Sequence, residues 1–179
     1  YFDPFASPPT PTAGTVVGNL AHGSPIGDCP PLMLALGASL VLHRDGVERV
    51  VRLDDFYLGY QKNCLQAGEF VRAVRVPLPV GVVVHAWKVS KRLEQDISAV
   101  AVATAFRLTK GKVEAVRIGV GGMAAVPSRA PKTEAELLGL EVSEEGALAT
   151  ALQTLRNEFA PLDDLRASAG YRCQVAGKL

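Results

Sequence analysis

Near its N-terminal end the chain reads Thr15-Val-Val-Gly-Asn-Leu-Ala-His-Gly-Ser-Pro-Ile-Gly-Asp28, where glycines and small polar side chains alternate with apolar residues. The glycines give the backbone access to positive φ and let another group approach it closely. The residues in question are Gly18, Gly23 and Gly27, with Thr15, Asn19 and Ser24 as short polar side chains. No Lys or Arg occurs from Tyr1 to His43, so backbone N–H groups and neutral side chains would have to hold an anion. We predict a cradle for a polar ligand such as a diphosphate.

A helix is predicted immediately after this cradle. Asp28 stands at the N-cap position, Pro30 and Pro31 suit the first turn, and Gly37 follows the apolar run. Asp28 is therefore either a helix cap or a ligand-binding residue. The glycine pattern alone fits both a phosphate site and an ordinary glycine-rich turn, because it has neither a Walker lysine nor the G-x-G-x-x-G spacing.

The composition sets limits on the class of protein. The 179 residues are 48% hydrophobic and 21% charged, with a formal net charge of +1, which allows a sizeable core and gives no field for nucleic acid or an acidic membrane. No apolar run approaches the roughly 20 residues of a spanning helix. Three dispersed cysteines are too few to form an iron–sulfur or zinc site by themselves. We expect them to be small buried residues without disulfides, which is typical of the reducing cytoplasm. Because the chain begins with Tyr1, we expect a longer polypeptide.

The first half predicts a β-hairpin and a further strand. Alternating apolar residues flank an Asp45-Gly46 turn, which is typical of a hairpin. This hairpin would place His43 and Arg49 on its solvent face. Residues 70–76 alternate less regularly, and we predict a strand there with solvated arginines.

Two prolines and a glycine in residues 77–81 indicate a boundary between segments 1–79 and 80–179. Beyond it, the apolar pattern predicts an antiparallel meander over residues 82–120. Helices should follow, beginning with a capping box of Thr133 and Glu136 and ending with a helix from about Ser168. The expected fold class is α+β, with the second sheet covered by helices.

Residues 88–96 form a loop of unusual charge density, at whose head Lys88 ends a strand. The loop is either a self-compensated solvated turn or a ligand-binding loop, and the Lys88 side chain can leave the sheet and reach a ligand without breaking the core. The three histidines have no regular spacing and no carboxylate partner that the sequence can place. We therefore expect no nucleophilic or metal-based catalytic constellation.

Several short blocks resemble the flavin domain of the xanthine dehydrogenase family, in the same order over nearly the whole chain. The blocks are Phe5-Ala-Ser-Pro-Pro9, Ala13-Gly-Thr-Val-Val-Gly-Asn19, Gly23-Ser-Pro-Ile-Gly-Asp28, Phe56-Tyr-Leu-Gly-Tyr-Gln-Lys62, Gly68-Glu-Phe-Val71, Lys88-Val-Ser-Lys-Arg92, Asp96-Ile-Ser-Ala-Val100, Gly121-Gly-Met-Ala124 and Ser168-Ala-Gly-Tyr-Arg172. Such an ordered set is more specific than any one glycine motif. The chain looks most like the small-subunit type of two-subunit bacterial enzymes.

The resemblance implies an FAD site and two domains. Segment 1–79 would be the C-terminal part of the FAD-binding domain, and segment 80–179 the C-terminal domain of a molybdenum-hydroxylase flavoprotein. Lys88 would contact the flavin in a loop that flanks its ring. From the residues alone Phe5 is more simply a core plug, whereas the resemblance puts it beside the flavin. The implied cofactor-binding residues are Phe5, Ala6, Thr15, Gly18, Asn19, Asp28, Val71 and Lys88.

The resemblance also implies a function in a larger cytoplasmic hetero-oligomer. Electrons would pass from a molybdopterin centre on a large subunit, through [2Fe-2S] clusters on other segments, to FAD and then to NAD, as in purine catabolism. One alternative is the flavin subunit of a relative that acts on carbon monoxide, nicotinate or an aldehyde. Another is a non-catalytic assembly module that docks the redox subunits. In each case the substrate would be chosen on another chain.

Overall fold

The computed structural model of the chain describes residues 14–78, 80–92 and 96–179. Its helices are α1 Val16–His22, α2 Cys29–Ala35, α3 Pro131–Leu137, α4 Glu145–Glu158 and α5 Ala169–Ala176. Its strands are β1 Ser39–Arg44, β2 Val47–Arg52, β3 Tyr57–Gly59, β4 Lys62–Asn63, β5 Phe70–Arg75, β6 Val83–Val89, β7 Val100–Thr109, β8 Lys112–Gly121 and β9 Ser128–Arg129. A 3₁₀ turn, Leu53–Asp55, follows β2. The predicted α+β class is confirmed.

The strands pair in antiparallel sheets of order β2-β1-β5, β3-β4 and β6-β7-β8-β9. The predicted hairpin is β1–β2, and its Asp45 and Gly46 have φ angles of 50° and 82°. The predicted meander is β6-β7-β8, and the predicted strand at 70–76 is β5, which pairs with the free side of β1. Turn chemistry and alternation therefore predicted the β1–β2 hairpin and the β6-β7-β8 meander correctly, but they did not predict the β3–β4 hairpin, whose connection is also short.

The four-stranded sheet has one face of small residues and one of large residues. Side chains alternate along a strand, so Ala103 and Ala105 of β7 face one way while Val100 and Val102 face the other. The small-residue face packs against α2 and the first hairpin in one core. The other face packs against α3, α4 and α5 in a second core, which confirms the predicted helical cover.

Helix α2 lies directly on glycines of β8. A side-chain carbon at Gly119 would lie 2.8 Å from the carbonyl carbon of Pro31 and closer still to its oxygen, and one at Gly121 would lie 3.1 Å from Pro31 Cγ. No side chain fits between the helix backbone and the sheet at Gly119. The two halves of the chain therefore meet at a distance that only glycine allows.

An arginine holds the C-terminal end of α2. Arg117 donates from Nε and Nη2 to the Leu34 carbonyl at 3.0 and 2.8 Å, where the helix dipole favours a cation. Arg117 Nη2 also donates to Asp54 at 2.8 Å. Burial would raise the pKa of Asp54, but Arg52, Arg117 and Arg129 outweigh it and hold that pKa below its usual value. This charge network ties the 3₁₀ turn and α2 to β8.

The structure differs from the local expectations in two places. The stretch predicted as a ligand cradle contains helix α1, and of its three glycines only Gly23 has a positive φ, of 61°. The capping box also fails, because α3 begins at Pro131 and Thr133 lies inside the helix. There the Thr133 hydroxyl donates to Glu158 of α4 at 2.7 Å. At Thr133 a tertiary contact replaces the local capping interaction.

The hairpin is less solvated than predicted. Arg49 forms an ion pair with Glu69 at 2.7 Å, and the His43 ring packs on Phe70 at a centroid distance of 5.2 Å. Both residues are half-buried rather than on an open face. Within the described ranges, no helix has the length and apolar character required to traverse a bilayer.

Replacing Gly119 with Ala should destabilise the fold by about 3 kcal/mol or more, because the added carbon overlaps the α2 backbone rather than a flexible side chain. Gly146→Ala on α4 is the matched control, since no atom lies within 4 Å of the added carbon there. It should be neutral or slightly stabilising. Denaturant unfolding of the full-length polypeptide measures both, and equal midpoints for Gly119→Ala and the wild type would contradict the close packing.

Candidate functional site

Asp28 is the centre of a polar cluster that joins the two halves of the chain. It precedes α2 directly and is only 8% exposed. Its Oδ2 accepts a hydrogen bond from Lys88 Nζ at 2.8 Å, and its Oδ1 accepts one from Ser98 Oγ. These residues, which we call the Asp28 cluster, fix the start of α2 against the end of β6 and the entry into β7.

Lys88 reaches Asp28 because of its position on β6. It shares a face of the strand with Val84 and Ala86, which pack on the first core. The Lys88 side chain is consequently 3% exposed and forms an ion pair with Asp28. The Lys88 side chain therefore extends away from the sheet to Asp28, and its contact with a ligand remains a prediction.

The charged loop after Lys88 is partly self-compensated. Arg92 and Asp96 form an ion pair at 3.8 Å, and the Asp96 carboxylate accepts a hydrogen bond from the Arg92 backbone at 2.9 Å. Lys91 Nζ donates to the Leu165 carbonyl at 2.9 Å. In its described part, the loop after Lys88 is therefore a turn whose charges pair with each other. Lys88 itself is buried and pairs with Asp28.

Asp28 occupies the predicted N-cap position without capping the helix. Its backbone has φ −83° and ψ −31°, and its side chain makes no capping hydrogen bond. A cap would accept from the second or third helical N–H, but these positions are Pro30 and Pro31, which have none. The carboxylate serves Lys88 and Ser98 instead, so the interpretation of Asp28 as a simple cap is wrong.

Thr15 and Gly18 form the cap of α1. The Thr15 side chain accepts a hydrogen bond from Gly18 N at 2.9 Å. A side-chain carbon at Gly18 would lie 2.9 Å from the same Thr15 oxygen, so glycine leaves room around this cap. Both residues are exposed, and the helix backbone at Gly18 is accessible to a ligand.

Asn19 ties α1 to the start of α2. Its Oδ1 accepts a hydrogen bond from Cys29 N at 3.3 Å, which satisfies an N–H that Asp28 leaves uncapped. Gly27 packs beside this contact, where a side-chain carbon would crowd the Ser24 carbonyl at 3.2 Å and lie 3.4 Å from Asn19 Oδ1. Among the described residues the Asn19 amide nitrogen has no hydrogen-bond acceptor, so it remains available as a donor.

The sequence did not identify the residues that hold the C-terminal end of α1. Tyr57 donates its hydroxyl to the Leu20 carbonyl at 2.9 Å, and Asn63 donates to the Ala21 carbonyl at 3.2 Å. Burial raises the pKa of Tyr57, which keeps this donor protonated. Ser98 was also missed as an individual residue. Its only sequence signal was its place in the Asp96-Ile-Ser-Ala-Val100 block.

The remaining predicted site residues are apolar or lie elsewhere. Val71 is half-buried on β5, packs on the first core and lies on a strand that contacts α1. It can form a wall but offers no side-chain hydrogen bond. Phe5 and Ala6 lie outside the described residues.

Cys29 packs as a small apolar residue at the start of α2. It is 2% exposed, and the pKa of its thiol is raised to about 11, mainly by burial and to a smaller extent by the negative charge of Asp28. The thiol is therefore protonated at neutral pH and is a poor nucleophile. In the described part of the chain, no group of His, Cys, Asp or Glu could hold a metal ion. The polar groups of Thr15, Asn19 and Asp28 are instead suited to binding a polar ligand.

Family models match both halves of the chain. Residues 2–79 match the FAD binding domain in molybdopterin dehydrogenase, and residues 85–179 match the CO dehydrogenase flavoprotein C-terminal domain. The family that the motif blocks predicted is thus confirmed at this level.

Individual relatives agree with these matches. The carbon monoxide dehydrogenase medium chain of Afipia carboxidovorans is 32% identical over 96% of this chain and 59% of its own length, and the nicotinate hydroxylase of Emericella nidulans is 32% identical over 87% and 12%. The solved carbon monoxide dehydrogenase of Hydrogenophaga pseudoflava superposes with a TM-score of 0.92 at 31% identity, covering 98% of this chain and 61% of that one. The chain thus spans at most about three fifths of these relatives. It belongs to the FAD-binding flavoprotein family of the molybdopterin dehydrogenases.

Proposed function

We propose that this chain forms the FAD-binding part of a molybdenum-containing hydroxylase, with the Asp28 cluster as the polar centre of its flavin site. The observation that supports this most directly is the buried Asp28 carboxylate, held by Lys88 from β6 and by Ser98 before β7. A carboxylate fixed from two sides is a preorganised acceptor for ligand hydroxyl groups. The family to which the chain belongs binds a ligand with such hydroxyls on its ribityl chain.

The donor set fits FAD. Asp28 would accept from hydroxyl groups, the Asn19 amide nitrogen would donate, and Gly18 would let a diphosphate approach the backbone beside the Thr15 hydroxyl. No Lys or Arg occurs among described residues 14–43, so neutral donors would hold the anion. Val71, Phe5 and Ala6 are proposed as the apolar wall. When bound, FAD would supply the electron-accepting and hydride-transferring chemistry.

Lys88 has a clear physical task in this proposal. A lone buried carboxylate would cost solvation energy and would repel a diphosphate anion. The Lys88 ammonium neutralises Asp28 and fixes its orientation, while Ser98 holds the other carboxylate oxygen. We further propose that Lys88 favours negative charge on the reduced ligand, as a nearby cation does.

The finer proposal concerns the path of the electrons. We infer that they arrive from iron–sulfur clusters and a molybdopterin centre on other segments or subunits of a cytoplasmic hetero-oligomer, and that NAD receives them. Relatives named for carbon monoxide and for nicotinate share the same 32% identity with this chain. We therefore assign the choice of substrate to another chain, and propose 1–79 and 80–179 as the two domains of this one.

The direct test is to purify the full-length polypeptide and to identify the cofactor that it releases on denaturation. The proposal requires FAD, bound in about equal amount to the protein. A colourless preparation that still binds its partner subunits would favour the assembly-module alternative. In the complete enzyme, anaerobic turnover should convert NAD to NADH, and its absence with retained FAD would overturn the choice of acceptor alone.

Asn19→Ala should weaken FAD binding by roughly tenfold or more and lower the free energy of unfolding by about 1 kcal/mol, because both the amide donor and the acceptor for Cys29 N–H are lost. Asn19→Asp keeps that acceptor but removes the donor and adds a repelling charge. It should lose FAD while keeping most of the stability. Equilibrium dialysis and denaturant unfolding separate the two effects, and wild-type FAD affinity in both variants would remove Asn19 from the site.

A double-mutant cycle tests the Asp28–Lys88 pair. Lys88→Met alone should cost about 3 to 5 kcal/mol, because it leaves a carboxylate buried without its cation. Adding Asp28→Asn should recover part of this loss. The double variant should therefore lose less free energy of unfolding than the two single variants lose in sum. Asp28→Asn should in addition weaken FAD binding. Additive stabilities, or unchanged FAD affinity in Asp28→Asn, would refute the proposed pairing or its role in the site.

A further inference from the structure

A buried arginine of the last helix lies close to the Asp28 cluster. Arg172 of α5 is 2% exposed, although an arginine is seldom fully buried unless it is paired. Its Nη2 donates to the Asp164 carboxylate at 2.7 Å, which supplies the compensating charge. The other terminal nitrogen, Nη1, is directed at the backbone of the four-stranded sheet.

Arg172 Nη1 holds two backbone carbonyls at one end of that sheet. It donates to the Ala99 carbonyl, directly before β7, and at 3.2 Å to the Gly122 carbonyl, directly after β8. Gly122 has a φ of 78°, and a side-chain carbon there would lie 2.8 Å from Nη1 and closer still to the Ala99 carbonyl oxygen. An apolar side chain would fill the place of Arg172 at a lower desolvation cost. The hydrogen bonds to these carbonyls, rather than packing, therefore account for a charged residue here.

The Ala99 peptide is adjacent to residues that bind Asp28. Ala99 follows Ser98, whose hydroxyl donates to the Asp28 carboxylate. The Ala99 N–H donates to the Val89 carbonyl at 2.8 Å, and Val89 follows Lys88, the cation paired with that carboxylate. A bond that fixes Ala99 therefore fixes Ser98 directly and Lys88 through one backbone hydrogen bond.

The Gly122 peptide leads to the same place by a second route. Its N–H donates to the Pro25 carbonyl at 2.7 Å, in the loop between α1 and Asp28. The nitrogen of Arg172 that holds the Gly122 carbonyl thus also steadies the loop that enters α2. Both hydrogen bonds of Nη1 act on the surroundings of Asp28.

We propose that Arg172 is a positioning residue of the flavin site, which holds Ser98 and Lys88 in the arrangement that orients the Asp28 carboxylate for the ligand. This inference rests on the proposed function of the Asp28 cluster. The effect of Arg172 passes through the Ala99 peptide, with support from the Gly122 peptide. The helices of the C-terminal half thereby contribute to ligand affinity as well as to the stability of the sheet that they cover.

Equilibrium dialysis of FAD against the full-length polypeptide tests this role, with Arg172→Lys as the main variant. A lysine keeps the charge for Asp164 but lacks the planar fork that reaches the carbonyls and the carboxylate together. The folded variant should bind FAD roughly tenfold more weakly than the wild type. Asp164→Asn is the matched control, because it removes the ion pair and leaves both carbonyl bonds in place. It should keep the wild-type affinity for FAD.

A double-mutant cycle on FAD affinity separates positioning from a general loss of stability. If Arg172 acts through Asp28, its replacement should matter little once that carboxylate has been removed. Adding Arg172→Lys to Asp28→Asn should then weaken FAD binding by about twofold at most, whereas an independent effect would remain tenfold in both backgrounds. Ser98→Ala leaves the arginine and its carbonyl bonds intact, and it should weaken FAD binding about as much as Arg172→Lys does.

Wild-type FAD affinity in folded Arg172→Lys would overturn the proposal, and so would a tenfold effect that persists in Asp28→Asn. If Arg172→Lys does not fold, Ser98→Ala decides the question, because unchanged FAD affinity in that variant would break the link from Ala99 to Asp28. Weaker binding in Ser98→Ala would support the proposal. A wild-type polypeptide without FAD would instead remove the proposed function, and this inference with it.

Discussion

The close packing of α2 on β8 is the constraint on which the rest of the structure depends. The backbone of Pro31 lies where a side chain of Gly119 would stand, so the helix and the sheet approach to backbone contact. Alanines of β7 on the same face extend this shallow surface. Because α2 belongs to the first half of the chain and β8 to the second, this contact sets the distance between the two halves, which the Asp28 cluster and Arg117 also join.

The two ends of α2 connect this packing to the proposed site. Arg117 holds the Leu34 carbonyl at the C-terminal end, and Asp28 meets Lys88 and Ser98 at the N-terminal end. The prolines after Asp28 have no N–H to be capped, which directs its carboxylate toward β6. A polar cluster that could hold FAD thus arises where a helix start is fixed on a sheet, and neither half of the chain forms it alone.

The sequence predicted the features that depend on local signals and missed those that depend on contacts between distant segments. The Asp45-Gly46 hairpin and the meander follow from turn chemistry and alternation, and both were correct. The partner of Asp28 is 60 residues away, so its N-cap position suggested a cap instead. The same limit explains the false capping box at Thr133, whose hydroxyl bonds to a later helix. The motif blocks indicated the family, but they gave no information on which residues contact one another.

The dissociation constant of FAD from the folded Gly119→Ala variant tests the central claim most directly. Gly119 offers no side chain to a ligand, and its only link to the proposed flavin site is the position of α2. If α2 packing on the sheet positions Asp28, the variant should bind FAD at least about tenfold more weakly than the wild type, even under conditions where both are fully folded. A folded variant with wild-type affinity for FAD would contradict the account.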